Sequence, residues 1–232
     1  VNGITDLLMA DGRTVPAITI EADGEQTVCE TITPPTIGDK AELIKAIKDS
    51  GIVGLGGAGF PTYAKFTTDK KIETLIINGA ECEPYITSDS ITMTKDAEDI
   101  VFAIQTLLKY FQIDKAIIGI ENNKPNAISA IKTAIGDNAQ ISVKVLPSVY
   151  PQGGEKVLIY HTTGKVVPKG KLPIDVGCVV INSTTTAFIG KYIKTGMPLV
   201  EKCVTVDGSA VKEPKNVIVP IGTPLKDVFE FA

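Results

Sequence analysis

Two short apolar runs, Thr74–Ile77 and Ala116–Ile120, with a third strand at Ile141–Leu146, fix the range of folds open to this chain. Runs of this length without polar alternation read as strands buried on both faces. Stretches of helical periodicity separate them. Ile100, Ala103, Ile104, Leu107 and Leu108 form one stripe within residues 96–111. Ala127, Ile128, Ile131 and Ile135 form another, opened by Asn122-Asn123-Lys124-Pro125 and stopped by Gly136. A third helix is expected after Gly154-Glu155, running through Tyr160. Strand, helix, strand, helix, strand, helix predicts an α/β fold: a parallel, Rossmann-like sheet with helices on both faces. In such open sheets ligands bind beyond the carboxyl ends of the strands. Asn78–Pro84, Glu121–Lys124 and Tyr150–Glu155 all fall there and can share one rim.

The flanks read differently. Residues 1–33 read as short strands, with partial alternation from Val15 to Ile20 and a hairpin-turn signal at Asp23-Gly24. Pro34-Pro35 breaks the chain, so residues 1–35 are expected to be the end of a small β domain, truncated here. Asp39, with Glu42 three residues on, predicts a capped helix carrying Leu43, Ile44 and Ile47 and ending at Gly51. The α/β domain is expected over 36–165. Linker-like composition at Val166–Gly170 then opens a region, 166–232, with strands at Val176–Ile181, Glu201–Val206 and Asn216–Val219. A helix over Thr184–Ile193 and a turn at Asp207-Gly208 complete a small β-rich domain of β-grasp character. The chain starts on Val1 and stops in an apolar helix start, Phe229-Glu230-Phe231-Ala232, so both ends are expected to be cuts.

Composition removes several function classes. The net charge is −4, and Arg13 is the only arginine among the 232 residues. A nucleic-acid partner, which needs a basic patch and arginine forks, is not expected. Cys29, Cys82, Cys178 and Cys203 stand far apart with no C-x-x-C pair, so no iron–sulfur or structural zinc site is expected within the chain. His161 is the only histidine, which disfavours histidine metal sites and Ser-His-Asp hydrolysis. No apolar run reaches spanning length, and nothing resembles a signal sequence, which favours a reducing compartment.

The most conspicuous local feature is the loop Gly51-Ile52-Val53-Gly54-Leu55-Gly56-Gly57-Ala58-Gly59-Phe60-Pro61, with five glycines between residues 51 and 59. Bare backbone of this kind can adopt positive φ and close its N–H groups on a ligand. Pro61 suits the first turn of a helix, and a helix N-terminus after such a loop is an anion site. Gly54-x-Gly56-x-x-Gly59 matches the dinucleotide fingerprint, with Glu81 at about the spacing of a ribose carboxylate. That fingerprint must follow a strand, whereas a helix precedes this loop. A P-loop is excluded because no Gly-Lys-Ser/Thr follows. Opposite the loop, Asn78-Gly79-Ala80-Glu81-Cys82-Glu83-Pro84 forms an acidic turn. Glu81 and Glu83 are an acid/base pair, metal ligands or a solvated turn. Lys65 is a phosphate contact or a surface residue. Phe60 and Tyr63 stack on a ring or pack in the core, and Tyr150 and Glu155 carry the same ambiguity. Cys82 is not read as a nucleophile, since two carboxylates flank it.

Taken together, the motifs resemble a known family. Gly54-Leu55-Gly56-Gly57-Ala58-Gly59-Phe60-Pro61-Thr62-x-x-Lys65 looks like the flavin loop of the NADH-binding flavoprotein subunit of respiratory complex I. Asn78–Tyr85 and Tyr150-Pro151-Gln152-Gly153-Gly154-Glu155 are closer to the C subunit of the Rnf electron-transport complex and the related proline reductase-associated electron-transfer protein. Leu55, Ala80 and Gly154 stand where the complex I pattern has arginine, aspartate and glutamate; all three agree with the Rnf-like pattern. The resemblance runs from about Lys40 to the end, and the tail resembles the soluble-ligand-binding β-grasp (SLBB) domain of both families.

The resemblance implies noncovalent FMN and NADH in one cleft. Gly54, Gly56 and Lys65 would hold FMN, Asn78, Tyr150 and Gly153 would contact it, and Asn182 would stand near its phosphate, while Gly57, Gly59 and Glu81 would bind the cofactors without being assigned to one of them. Phe60, Glu83 and Glu155 would face NADH. It also implies two [4Fe–4S] clusters, expected only beyond Ala232, and hydride transfer between NAD(H) and FMN with onward transfer to ferredoxin or another acceptor. Partners would be other subunits of a membrane complex, and the location peripheral on its cytoplasmic face. The rival readings are a flavin-free Rossmann-type dehydrogenase and a cofactor-free ligand-binding scaffold.

Overall fold

The computed structural model describes residues 1–232 except Ala10 and Gln26. The chain divides into two compact units, Val1–Ile32 and Thr33–Ala232. In the first, strands β1 (Gly3–Leu8) and β2 (Thr14–Thr19) pair antiparallel. Their turn lies at Asp11-Gly12, where the Gly12 amide donates to the Met9 carbonyl. The hairpin signal at Asp23-Gly24 therefore marks a loop after β2, not the turn between these strands. Both signals are Asp-Gly, and only the register of the alternating residues separates them.

The second unit opens with helix α1 (Lys40–Asp49), capped as its sequence predicts. The Asp39 carboxylate accepts the Glu42 amide at 2.8 Å, and the Glu42 carboxylate accepts the Gly38 amide at 2.6 Å. After the glycine loop come strand β3 (Thr74–Gly79), helices α2 (Ser88–Lys95) and α3 (Ala97–Phe111), strand β4 (Lys115–Glu121), helix α4 (Pro125–Ile135), strand β5 (Ile141–Leu146) and helix α5 (Glu155–Thr163). Strand β6 (Cys178–Asn182) and helix α6 (Ser183–Thr195) follow. A hairpin of β7 (Glu201–Val206) and β8 (Lys215–Pro220) and helix α7 (Leu225–Phe231) end the chain.

The main sheet is parallel throughout, in the order β5-β4-β3-β6. Leu75, Ile76 and Ile77 of β3 are fully buried, as a central strand requires. Each contributes about 1.5–3 kcal/mol by burial. Leu75 and Ile77 pack in one apolar cluster with Ile100, Ile104 and Leu107 of α3 and Ile189 of α6. Ile76 packs in the other, with Leu158 and Ile159 of α5 and Val180 of β6. Helices thus cover both faces, and the expected α/β class holds.

Two expectations are corrected. The domain break at 165/166 does not fall there, because β6 pairs with β3 from Thr74↔Cys178 to Asn78↔Asn182 and so belongs to the main sheet. Linker-like composition marked a loop, not a change of domain. The sequence reading assigns no element to the stretch of helix α2, whose Thr- and Ser-rich sequence lacks an apolar stripe. After Pro61 the chain makes only a single 3-10 turn, Thr62–Lys65, too short to supply the helix-dipole anion site expected there.

Candidate cofactor site

The glycine loop is a closed hairpin. Val53 bridges Pro61, and the Gly54 amide donates to the Phe60 carbonyl at 2.9 Å. The Leu55 amide donates to Thr185 Oγ1 at 3.0 Å, tying the loop to the first turn of α6. Asn182 caps that helix, its Oδ1 accepting the Thr185 amide. A Cβ on Gly56 would collide with the Asn182 side-chain amide. Only glycine allows the loop backbone to lie this close to the end of β6.

Across the rim, the turn after β3 is locked to the turn before α5. Asn78 Nδ2 donates to the Gly153 carbonyl at 2.9 Å, and Asn78 Oδ1 accepts the Ala80 amide at 3.1 Å. The Gly153 amide donates to Cys82 Sγ at 3.2 Å. A Cβ on Gly153 would meet the Ala80 carbonyl oxygen at 2.5 Å, so this contact also demands glycine. Tyr150 precedes a cis Pro151 and is 69% exposed. Buried Gln152 holds the turn from behind, donating to the Pro147 carbonyl and meeting His161 Nδ1 at 2.6 Å. The single histidine thus serves the scaffold.

These elements enclose a cavity of about 540 Å³ at the carboxyl ends of β3 and β6, a size typical of small-molecule and cofactor sites. Gly56, Gly57, Asn78, Glu81, Glu83, Tyr150, Gly153 and Asn182 all line it. A second cavity of about 530 Å³ is lined by Phe60, Lys65 and Glu155. Consecutive residues Gly154 and Glu155 line one cavity each. Lys65 Nζ donates to the Val180 carbonyl at 2.8 Å and pairs with Glu155 at 3.1 Å. Lys65, expected at FMN, therefore stands with the residues expected at NADH, while Glu83, expected at NADH, stands with those expected at FMN. Gly54 and Gly59 line neither cavity; they shape the loop, Gly59 with φ 68°.

Glu81 has a second set of partners. Thr87, the N-cap of α2, makes no side-chain capping bond. The Glu81 carboxylate caps the helix from outside, accepting the amides of Asp89 at 2.6 Å and Ser90 at 3.2 Å. It also pairs with Lys124 at 3.2 Å, the two side chains being 3% and 12% exposed. Burial pushes its carboxyl above the usual range, partly offset by the Asp89 amide and Lys124.

Several lining residues escaped the sequence reading. Asp89 and Ser88 open a helix that carries no stripe. Thr184 follows Asn182 in a strand-to-helix turn assigned to another domain. Lys202, Cys203, Val204 and Thr205 of β7 form a wall of the main cavity, and the Thr87 amide donates to Thr205 Oγ1 at 3.1 Å beside it. Nothing in the local sequence of β7 announces this contact. Among the described residues lining the cavity, Lys202 is the one cation, facing the carboxylates Glu81, Glu83 and Asp89.

The chain's own atoms fit a flavin mononucleotide. Gly56 and Gly153 pack where a Cβ would clash, whereas a Cβ on Gly57 would meet nothing within 4 Å. At the start of α6, buried Ser183 keeps an Oγ with no hydrogen-bond partner among the described residues. No group of three or more His, Cys, Asp or Glu side chains could hold a metal ion among the described residues.

A parallel open sheet with a glycine loop and a cavity at its strand ends is the architecture of a nucleotide-cofactor domain. The chain belongs to the Nuo51 FMN-binding domain family, whose sequence model matches residues 47–191. That span takes in β6 and most of α6, in agreement with the sheet. The chain is 44% identical over 222 residues to the C subunit of the proton-translocating ferredoxin:NAD(+) oxidoreductase complex of Clostridium ljungdahlii, covering 93% of this chain and 48% of that protein. It is 42% identical over 226 residues to the C subunit of the Na(+)-translocating ferredoxin:NAD(+) oxidoreductase complex of Acetobacterium woodii, covering 95% and 51%. It therefore spans about half the length of these curated relatives. Its fold is similar to a chain in a crystal structure of an NAD+-reducing [NiFe]-hydrogenase in the air-oxidized state. The TM-score is 0.71 at 23% identity, over 89% of this chain and 41% of that one.

Proposed function

We propose that this chain is the FMN- and NADH-binding part of an electron-transport oxidoreductase, exchanging hydride between NAD(H) and FMN. The observation that carries the reading is the contact of Gly56 with Asn182, which brings bare loop backbone to the capped N-terminus of α6 at the cavity wall. The cofactor would supply hydride exchange with the nicotinamide and release of electrons singly.

The protein's part is binding and orientation. Asn78 and Gly153 fix the two turns that flank the cavity, and Gly57 leaves room at its mouth. Asn182 and Thr184 present polar side chains at the α6 N-terminus, where helix geometry favours a phosphate. The β7 wall keeps water from one side. Phe60, which is 53% exposed, and the Lys65–Glu155 pair give the adjoining cavity an aromatic face and a charged rim for the nicotinamide nucleotide. Electrons would pass to iron–sulfur clusters outside this chain and on to ferredoxin or another acceptor. The relatives' names support a multi-subunit, ion-translocating complex as the setting. Among the described residues no helix is long and apolar enough to cross a membrane, and peripheral attachment to a cytoplasmic membrane face through partner subunits is part of the proposal.

The test is reconstitution. Protein mixed with FMN and desalted retains flavin absorbance, and anaerobic NADH bleaches it. Retention of no flavin, or retained flavin that NADH leaves oxidised, overturns the reading.

A further inference from the structure

The first turn of α6 already serves an anion. The Asp89 carboxylate accepts Asn182 Nδ2 at 2.6 Å and Thr184 Oγ1 at 2.5 Å. A side-chain amide and a hydroxyl at a helix N-terminus are donors of the kind that hold phosphate. Asp89, Asn182 and Thr184 all line the main cavity. The Thr184 hydroxyl has a single proton to donate, so a carboxylate and a phosphate dianion cannot both take it, and a phosphate on the second N–H of Asn182 would lie beside the carboxylate held on the first. Both anions only accept hydrogen bonds, and like charges in a partly desolvated cavity repel.

The surroundings of Asp89 sharpen the conflict. Lys202 on β7 and Lys124 before α4 attract it. Glu81, after β3, repels it while accepting its backbone amide, and the Cys203 thiol on β7 also lies within its field. Lys124 is already paired with Glu81. Burial pushes the Asp89 carboxyl above the usual aspartate range, while the bonds from Thr184 and Asn182 pull the other way.

We propose that Asp89 competes with the phosphomonoester of FMN for the Thr184 hydroxyl and for the space beside the Asn182 amide, so that binding of the ligand is coupled to uptake of one proton by Asp89. The proton comes from solvent, adds to an Asp89 carboxylate oxygen, and leaves again when the ligand dissociates. The protonated carboxyl gains a donor, which a phosphate oxygen can accept. Asp89 is thus a positioning residue that makes flavin affinity depend on pH. The inference rests on the FMN reading above.

Fluorescence titrations of the whole chain with FMN and with riboflavin test it, for wild type and D89N, across about pH 6.5–8.5, where the phosphomonoester, with its second ionisation near 6, is mostly dianionic. In wild type the FMN dissociation constant weakens with rising pH, by up to about tenfold per unit, while that of riboflavin stays flat. In D89N the FMN slope disappears and affinity at the alkaline end exceeds that of wild type. D89S serves the same purpose should D89N not fold by its melting profile. Both flavins binding with no FMN-specific slope in wild type, or with a slope that both variants retain, overturns the competition alone. Neither flavin binding overturns the FMN reading and the competition with it.

Discussion

Asn78 and Gly153 are joined across the cavity rim, the Asn78 amide donating to the Gly153 carbonyl at 2.9 Å while its oxygen takes the Ala80 amide. One side chain thus fixes two turns that lie 75 residues apart. Replacing it with alanine leaves a half-buried carbonyl and an amide unpaired, each loss being worth about 1–3 kcal/mol. Urea unfolding of N78A should show a stability loss in that range, with flavin affinity falling alongside. A variant as stable as wild type would show that water takes over both bonds.

The glycines separate fold from binding. G153A places a Cβ against the Ala80 carbonyl, which cannot yield without moving β3, so it should lower both stability and flavin retention. G57V meets open space, so its melting temperature should stay close to wild type while flavin retention is lost. Equal behaviour of the two variants in both assays would contradict this division.

Lys124 and Glu81 form the most buried ion pair of the site. K124M strands the Glu81 carboxylate against the α2 N-terminus. Breaking a buried pair in this way typically costs about 3–5 kcal/mol. Loss of the lysine raises the Glu81 carboxyl further, so the destabilisation should be larger at pH 8 than at pH 5. Chemical denaturation at both values reads the difference, and a pH-independent loss would point to lost packing instead.

Burial raises the carboxyls of Glu81, Asp89 and Glu121 above their ordinary values. A raised acid binds more protons folded than unfolded. Its stabilising contribution is therefore full below the unfolded value, about pH 4, and declines as pH rises through the folded value. Thermal melts should show stability falling above that point, with a shallower fall in D89N. An unchanged slope in D89N would remove Asp89 from the account.

Much of this was legible in the sequence, for physical reasons. Buried strands such as Thr74–Ile77 announce themselves because both faces are apolar, and the α3 stripe because one face is. The three separated motifs pointed to the family because glycine loops and turns are local. What stayed hidden depended on tertiary contact. Helix α2 is held by a carboxylate seven residues before its first residue, and β6 declared its sheet only through pairing with β3. That Lys65 and Glu83 line different cavities was not legible either, because spacing along a loop does not say to which side a side chain turns.

The hairpin strand β7 lines the cavity although it lies outside the four-stranded sheet. A gene cut after α6 would keep every strand and helix of the α/β core and still leave the cavity with a missing wall. The unit that evolution can move between proteins is thus longer than the unit that folds around the sheet. Any displacement of the C-terminal hairpin would therefore reshape the cavity without disturbing the sheet.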